Sequence, residues 1–151
     1  VYARAGRLVG AADPLVGDGG VLLDETTLSV WDGRLVANCR IQGFEGRGSG
    51  ARYLAWGDGR AWEGACLWEL DDPGCNARMV GDLFVHPGRR DARAGGEIVR
   101  LTPPWEGPVG SQAVSSFGDG VFGYSDLMSA GDEAVVVFER DRGLWEVVLS
   151  L

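Results

Sequence analysis

Two pairs of residues in this chain have the types and spacing to influence each other chemically. Glu25 and Arg40 flank the dipeptide Asp32-Gly33, and Tyr124 and Glu139 flank Gly131-Asp132. A two-residue hairpin turn fixes the register of both strands that leave it. With Asp32-Gly33 at the tip, Trp31 faces Arg34, Val30 faces Leu35, and counting outward sets Glu25 opposite Arg40. Gly131-Asp132 suits a type II′ turn, glycine first, and the same count sets Tyr124 opposite Glu139. Without a bulge, the Cβ atoms of each pair lie about 4.5–5.5 Å apart. Each pair then sets a carboxylate beside a group whose charge or proton it can affect. Pairing alone favours plainer readings, an ordinary cross-strand ion pair and a strand tyrosine near a surface carboxylate.

The elements that must hold these pairs are strands. Short β-type runs recur at Thr27 to Trp31, Leu35 to Cys39, Arg52 to Trp56, Leu83 to Val85, Ile98 to Leu101, Val135 to Phe138 and Trp145 to Leu149. Between them, Asp32-Gly33, Gly57-Asp58-Gly59 and Gly131-Asp132 supply the positive φ angles of tight hairpins. Twenty-five glycines and six prolines without a collagen-like period also point to many turns. The pattern predicts an all-β meander. Trp62-Glu63-Gly64, Trp105-Glu106-Gly107 and Gly143-Leu144-Trp145-Glu146 recur at about the length of a four-stranded propeller blade, roughly 40–50 residues. Scattered core aromatics would account for three tryptophans equally well. On the propeller reading the 151 residues make about three blades, fewer than the roughly four to eight that close a ring. The chain is therefore expected to be part of one propeller domain, 1–151.

Composition narrows the chemistry by exclusion. Twenty-two acidic residues against fourteen basic ones, all arginine, leave a net charge of −8. That charge repels a phosphate backbone and an anionic membrane surface, so no nucleic-acid partner is expected. No apolar run approaches the roughly 20 residues of a membrane-spanning helix. Cys39, Cys66 and Cys75 lack metal-ligand spacing and His86 is the single histidine, so structural thiols are expected and neither a metal nor a cofactor is implied. Localisation stays open.

The segment Phe122-Gly123-Tyr124-Ser125-Asp126-Leu127, followed by Val135-Val136-Val137-Phe138-Glu139, resembles the end of the sialidase (neuraminidase) catalytic domain. There a Tyr-Ser-x-Leu segment precedes an apolar strand ending in glutamate. Upstream, Glu25-Thr26-Thr27-Leu28, Asp32-Gly33-Arg34-Leu35 and Asn38-Cys39-Arg40 are similar to the family segment with a catalytic glutamate and, one strand later, an arginine. His86-Pro87-Gly88-Arg89-Arg90-Asp91-Ala92-Arg93 resembles the stretch where another arginine follows an Asn-Pro or His-Pro turn, with Arg93 fitting best and Arg89 and Arg90 close by. The family's Asp-box, Ser-x-Asp-x-Gly-x-Thr-Trp, has a worn counterpart at Ala55-Trp56-Gly57-Asp58-Gly59-Arg60-Ala61-Trp62. The resemblance runs from about Leu22 to Leu151, in the family's order.

The resemblance implies the C-terminal half of a six-bladed propeller and an exo-sialidase that removes terminal sialic acid from glycoconjugates. It implies that Tyr124 is the nucleophile and Glu25 its base, that Arg40 and Arg93 bind the substrate carboxylate, and that Glu139 supports a third arginine. The chemistry is coherent. Sialic acid carries a carboxylate on its anomeric carbon, which would repel an anionic nucleophile, and sialidases use tyrosine instead. A phenol of ordinary pKa near 10 needs an adjacent base. Guanidinium groups match the two carboxylate oxygens with paired N–H donors. The family's first arginine and its general-acid aspartate have no counterpart here, since Arg4 and Arg7 come too soon before Glu25. Both are expected in an N-terminal half outside this chain. A non-catalytic, lectin-like propeller and an inactive fragment are the alternatives.

Overall fold

The computed structural model describes residues 2–4, 7–10, 15, 17, 21–42 and 50–151. Among them every helix or strand is a strand, and the sheets are antiparallel throughout. β1 (Tyr2–Arg4) and β2 (Arg7–Gly10) form a two-stranded ribbon. The next four strands make one meander: β3 (Leu22–Trp31), β4 (Arg34–Gln42), β5 (Ala51–Gly57) and β6 (Trp62–Glu69). A second meander follows with β7 (Arg78–Val80), β8 (Leu83–Pro87), β9 (Gly96–Leu101) and β10 (Ser111–Ser116). The third has β11 (Ser125–Ala130), β12 (Glu133–Arg140) and β13 (Gly143–Ser150). The first strand of the middle sheet, β7, touches both β3 and β11. These are three propeller blades set side by side on their first strands.

Period-two alternation explains how the blades pack. β8 is buried along its whole length because it sits mid-sheet in the middle blade. Phe84 faces the first blade, in a core with Trp31, Val36, Leu54, Trp68, Met79 and Val99. Leu83 and Val85 face the third, in a core with Ile98, Phe122, Leu127, Val136 and Phe138. The strand runs expected from sequence all fall inside observed strands. β1, β2, β6, β7, β10 and β11 were not anticipated: β1, β2 and β7 are only three or four residues long, β6 is broken by Gly64, β10 reads Ser-Gln-Ala-Val-Ser-Ser and β11 opens on Ser125-Asp126. The tryptophan repeat does not mark equivalent positions. Trp62 opens β6, Trp105 lies in the loop before β10, and Trp145 is in β13. The blades repeat, but Trp105 packs on Trp31 and Trp56 of the first blade rather than at a position equivalent to Trp62 or Trp145.

The seam between the first two blades holds buried charge. Arg52 and Asp72 are both fully buried and lie 3.2 Å apart. Arg52 Nε donates to Asn38 Oδ1 at 2.7 Å and its Nη1 to the Cys75 carbonyl at 2.8 Å. Asp72 Oδ1 accepts the Gly74 N–H at 2.7 Å. His86, also buried, lies 3.6 Å from Asp72 through Nδ1 and 3.2 Å from Glu97 through Nε2. Burial pushes the His86 pKa down, but the two carboxylates outweigh it and raise it above 6.5.

The hairpin tips follow turn chemistry with one exception. Asp32 and Gly33 both take positive φ, 49° and 74°. Gly81 and Gly131 take it at the tips of the β7–β8 and β11–β12 hairpins, φ 58° and 62°. The Gly57-Asp58-Gly59 turn is longer than a two-residue hairpin, with β6 starting only at Trp62. At the β12–β13 tip Asp141 and Arg142 hold φ 51° and 65° without glycine. A Cβ in that region costs roughly 1–2 kcal/mol.

Removing one partner of the buried pair leaves an uncompensated charge. Asp72→Ala should destabilise the chain by about 3–5 kcal/mol, read as a lower denaturation midpoint. The raised His86 pKa adds stability that is complete below pH 6.5 and is lost as pH rises through the raised value. The midpoint should therefore drift down over that window, and a His86→Gln protein should not show the drift.

Candidate active site

The two hairpins deliver their residues differently from a simple register count. From Trp31↔Arg34 the β3–β4 ladder runs regularly to Thr26↔Cys39, then slips, so that Asp24 is the partner of Arg40. Glu25 is the extra residue of a bulge, and the expected Glu25–Arg40 cross-strand pairing is corrected to this. The extra residue re-aims the side chain. Glu25 still meets Arg40, whose Nη1 donates to Glu25 Oε2 at 2.9 Å. Asp24 props the bulge, its Oδ1 accepting the Glu25 N–H at 2.9 Å and its Oδ2 accepting Gln42 Nε2 at 2.7 Å.

The second count survives with a change at its end. The β11–β12 ladder is regular from Ala130↔Glu133 to Ser125↔Phe138. One step further the Glu139 N–H donates to the Tyr124 carbonyl at 2.9 Å, while the Glu139 carbonyl accepts the Gly123 N–H at 2.8 Å. A Cβ on Gly123 would stand 2.9 Å from Glu139 Oε2, so only glycine lets the carboxylate sit there. The Tyr124 ring does not turn to Glu139. Its hydroxyl donates to Glu25 Oε1 at 2.7 Å, joining the third blade to the first.

Arg93 completes the group from the middle blade. Its carbonyl accepts the Phe122 N–H at 2.9 Å, and an isolated bridge joins Ala94 to Val121. Its guanidinium lies 5.1 Å from the centre of the Tyr124 ring. Arg89 is held by Asp91 and Arg90 by Asp71. Of the three neighbouring arginines, Arg93 is therefore the one beside Tyr124.

These contacts set the charges. Partial burial pushes Glu25 upward, but the hydrogen bonds from Tyr124 and Arg40 win and hold its carboxyl below 4.5. Tyr124 moves the other way, above 10, chiefly because its hydroxyl is bonded to that carboxylate. Arg40 is held charged, the Glu25 carboxylate outweighing its desolvation. The arrangement is a proton-bearing phenol on an ionised carboxylate, flanked by two guanidinium groups and 36% exposed at the tyrosine. It can pass the phenolic proton to Glu25 while arginine holds an anion nearby.

No protein-family model and no curated protein matches the chain. Among solved structures its fold is similar to the Trypanosoma rangeli sialidase in complex with sialic acid, at 20% sequence identity and a TM-score of 0.51. The match covers 85% of this chain and 23% of that one. The fold is that of sialidase propeller blades.

Within these sialidase-like blades the turn before β6 is held by Asp58, whose Oδ1 accepts the N–H groups of Arg60 and Ala61 at 2.7 and 3.0 Å. Cys39 and Cys75 are buried and Cys66 half-buried, all as free thiols whose pKa burial raises. Among the described residues no cluster of histidine, cysteine or carboxylate side chains could hold a metal. No helix long and apolar enough to cross a membrane is present among them. Asp24 and Gln42 were missed in the sequence reading, because only the bulge makes them supports for Glu25. The side chains of Arg4 and Arg7 lie outside the described residues.

Ultraviolet titration of the phenols, compared between wild type and Tyr124→Phe, should assign to Tyr124 a pKa above 10. Glu25→Gln, which removes the acceptor's charge, should bring it down. An unchanged value in Glu25→Gln would break the link between the two residues.

Proposed function

We propose that this chain carries the nucleophilic side of an exo-sialidase site, and that the enzyme hydrolyses terminal sialic acid from glycoconjugates. The observation that carries this reading is the 2.7 Å hydrogen bond from Tyr124 to Glu25, bracketed by Arg40 and Arg93. In this reading Arg40 and Arg93 hold the carboxylate on the anomeric carbon. Tyr124 Oη attacks that carbon as its proton passes to Glu25, and the bond to the leaving oxygen breaks. Water then cleaves the tyrosyl glycoside, its oxygen bonding the anomeric carbon and its proton passing to the group that protonated the leaving oxygen, while Glu25 returns its proton to the phenolic oxygen. A neutral phenol suits the task, because the raised pKa of Tyr124 keeps it uncharged until the moment of attack.

Two groups of the reaction lie outside this reading's residues, the acid that protonates the leaving oxygen and a third arginine. The third arginine would rest on Glu139, whose carboxylate among the described residues meets the Tyr124 N–H alone, at a long 3.4 Å. The chain spans 23% of the sialidase chain it matches, so both are assigned to an upstream half of the same domain.

The test is hydrolysis of a fluorogenic sialoside by this chain alone and joined to the upstream half. The chain alone should be inactive, and the joined form active. In the joined form Glu25→Gln should lower turnover by about 10²–10⁴-fold, and Tyr124→Phe by orders of magnitude while leaving sialoside binding in place. Near-normal turnover in Tyr124→Phe would exclude the mechanism, and binding without turnover in the joined wild type would favour a lectin.

A further inference from the structure

The β12–β13 turn departs from the other two-residue hairpin turns among the described residues. Asp32-Gly33, Gly81-Asp82 and Gly131-Asp132 each place a glycine in the left-handed region. Asp141-Arg142 places two side-chain-bearing residues there, at φ 51° and 65°, although Gly143 stands next in sequence. Aspartate tolerates that region through short local hydrogen bonds, which arginine cannot make. A strained residue persists where the surroundings or the function of its side chain demand it.

The surroundings make no such demand. Among the described residues Arg142 has no hydrogen-bond or ion-pair partner, and it is exposed. Its neighbour Arg140 is occupied, stacked 5.3 Å from the Trp145 ring and 3.5 Å from Asp141. Arg142 does, however, line a cleft of about 610 Å³ together with Arg93, Gly123, Glu139 and Leu144. Arg93 is the residue stacked on Tyr124, and Gly123 directly precedes it. The cleft therefore opens beside the candidate nucleophile, and exposed Arg142 lines it from a turn that would be easier to build with glycine.

Resting on the sialidase reading, we propose that Arg142 binds a second carboxylate of the substrate, carried by the sugar next to the one that Tyr124 attacks. Paired N–H donors of permanent charge match a carboxylate and give a neutral sugar much less. The site would then prefer glycans that end in two acidic sugars over those that end in one.

The experiment compares binding of a disialylated and a monosialylated oligosaccharide, with sulfur in place of the glycosidic oxygens to prevent cleavage, by nuclear magnetic resonance titration of the chain joined to its upstream half, together with its melting temperature. Wild type should bind the disialylated probe roughly tenfold more tightly, the effect of one charge-assisted pair. Arg142→Gly should bring the two affinities within twofold and raise the melting temperature by roughly 2–4 °C, because glycine relieves the turn. Arg142→Ala should lose the preference without that gain. Equal affinities in wild type, a preference that survives in Arg142→Gly, or a melting temperature that does not rise in that variant would each overturn the inference and leave the sialidase reading standing. Failure of wild type to bind either probe would overturn both.

Discussion

The buried Arg52–Asp72 pair at the seam of the first two blades is the constraint on which the rest of the site depends. Each ion taken from water costs on the order of several kcal/mol, and the structure offsets this with hydrogen bonds to both, leaving Arg52 Nη2 without a partner among the described residues. Arg52 reaches Asn38, Asp72 and the Cys75 carbonyl, and Asp72 takes the Gly74 N–H. Asn38 in turn donates to the Ala77 carbonyl and to Thr27 Oγ1, at 3.1 and 3.0 Å. The connecting segment between the blades is thereby pinned to β3 and β4. Removing one member leaves a buried polar atom of another without that partner, so the network favours one docking of the blades and penalises the rest.

The same network reaches both arginines of the candidate site. Asn38 lies two residues before Arg40 on β4, so the strand that presents Arg40 is anchored just beneath it. His86 links Asp72 to Glu97, and His86 and Glu97 stand on the strands that lead into and out of the loop carrying Arg93. Arg40 and Arg93 come from different blades, yet one cluster of buried charge holds the base of each. Tyr124 is fixed by a separate device. Phe122 packs in the core of the second seam, stacked 4.5 Å from Phe138, where a Cβ on Gly96 would overlap its ring. The tyrosine two residues later has little freedom left.

The outer face of the third blade differs from this interior. Met128 is 61% exposed on β11 and Val148 54% on β13, whereas β8 of the middle blade is covered on both sides. The corresponding face of the first blade is covered, with Ala37, Cys39, Ile41, Tyr53 and Ala55 buried there.

Much of the architecture was legible in the residue pattern alone, for physical reasons that act over short distances. Turn residues such as Asp32-Gly33 and Gly131-Asp132 relieve steric strain locally, so their positions are readable without knowing what they pack against. Alternating apolar runs did the same for the central strands, while edge strands such as β10, with one wet face, left no such trace. The Tyr124 segment and the order of the glutamate and the arginines were also recognisable in line. Which side chains meet was decided by the tertiary structure. The bulge at Glu25 follows no local signal, and it turns the carboxylate toward a hydroxyl on another blade. The choice of Arg93 over Arg89 and Arg90 rests on which carboxylates lie near each. His86 read as a residue short of metal ligands, yet it serves in a buried ionic seam. Contacts between blades depend on close approach of groups far apart in sequence, and a chain read in order contains their identities but not their distances.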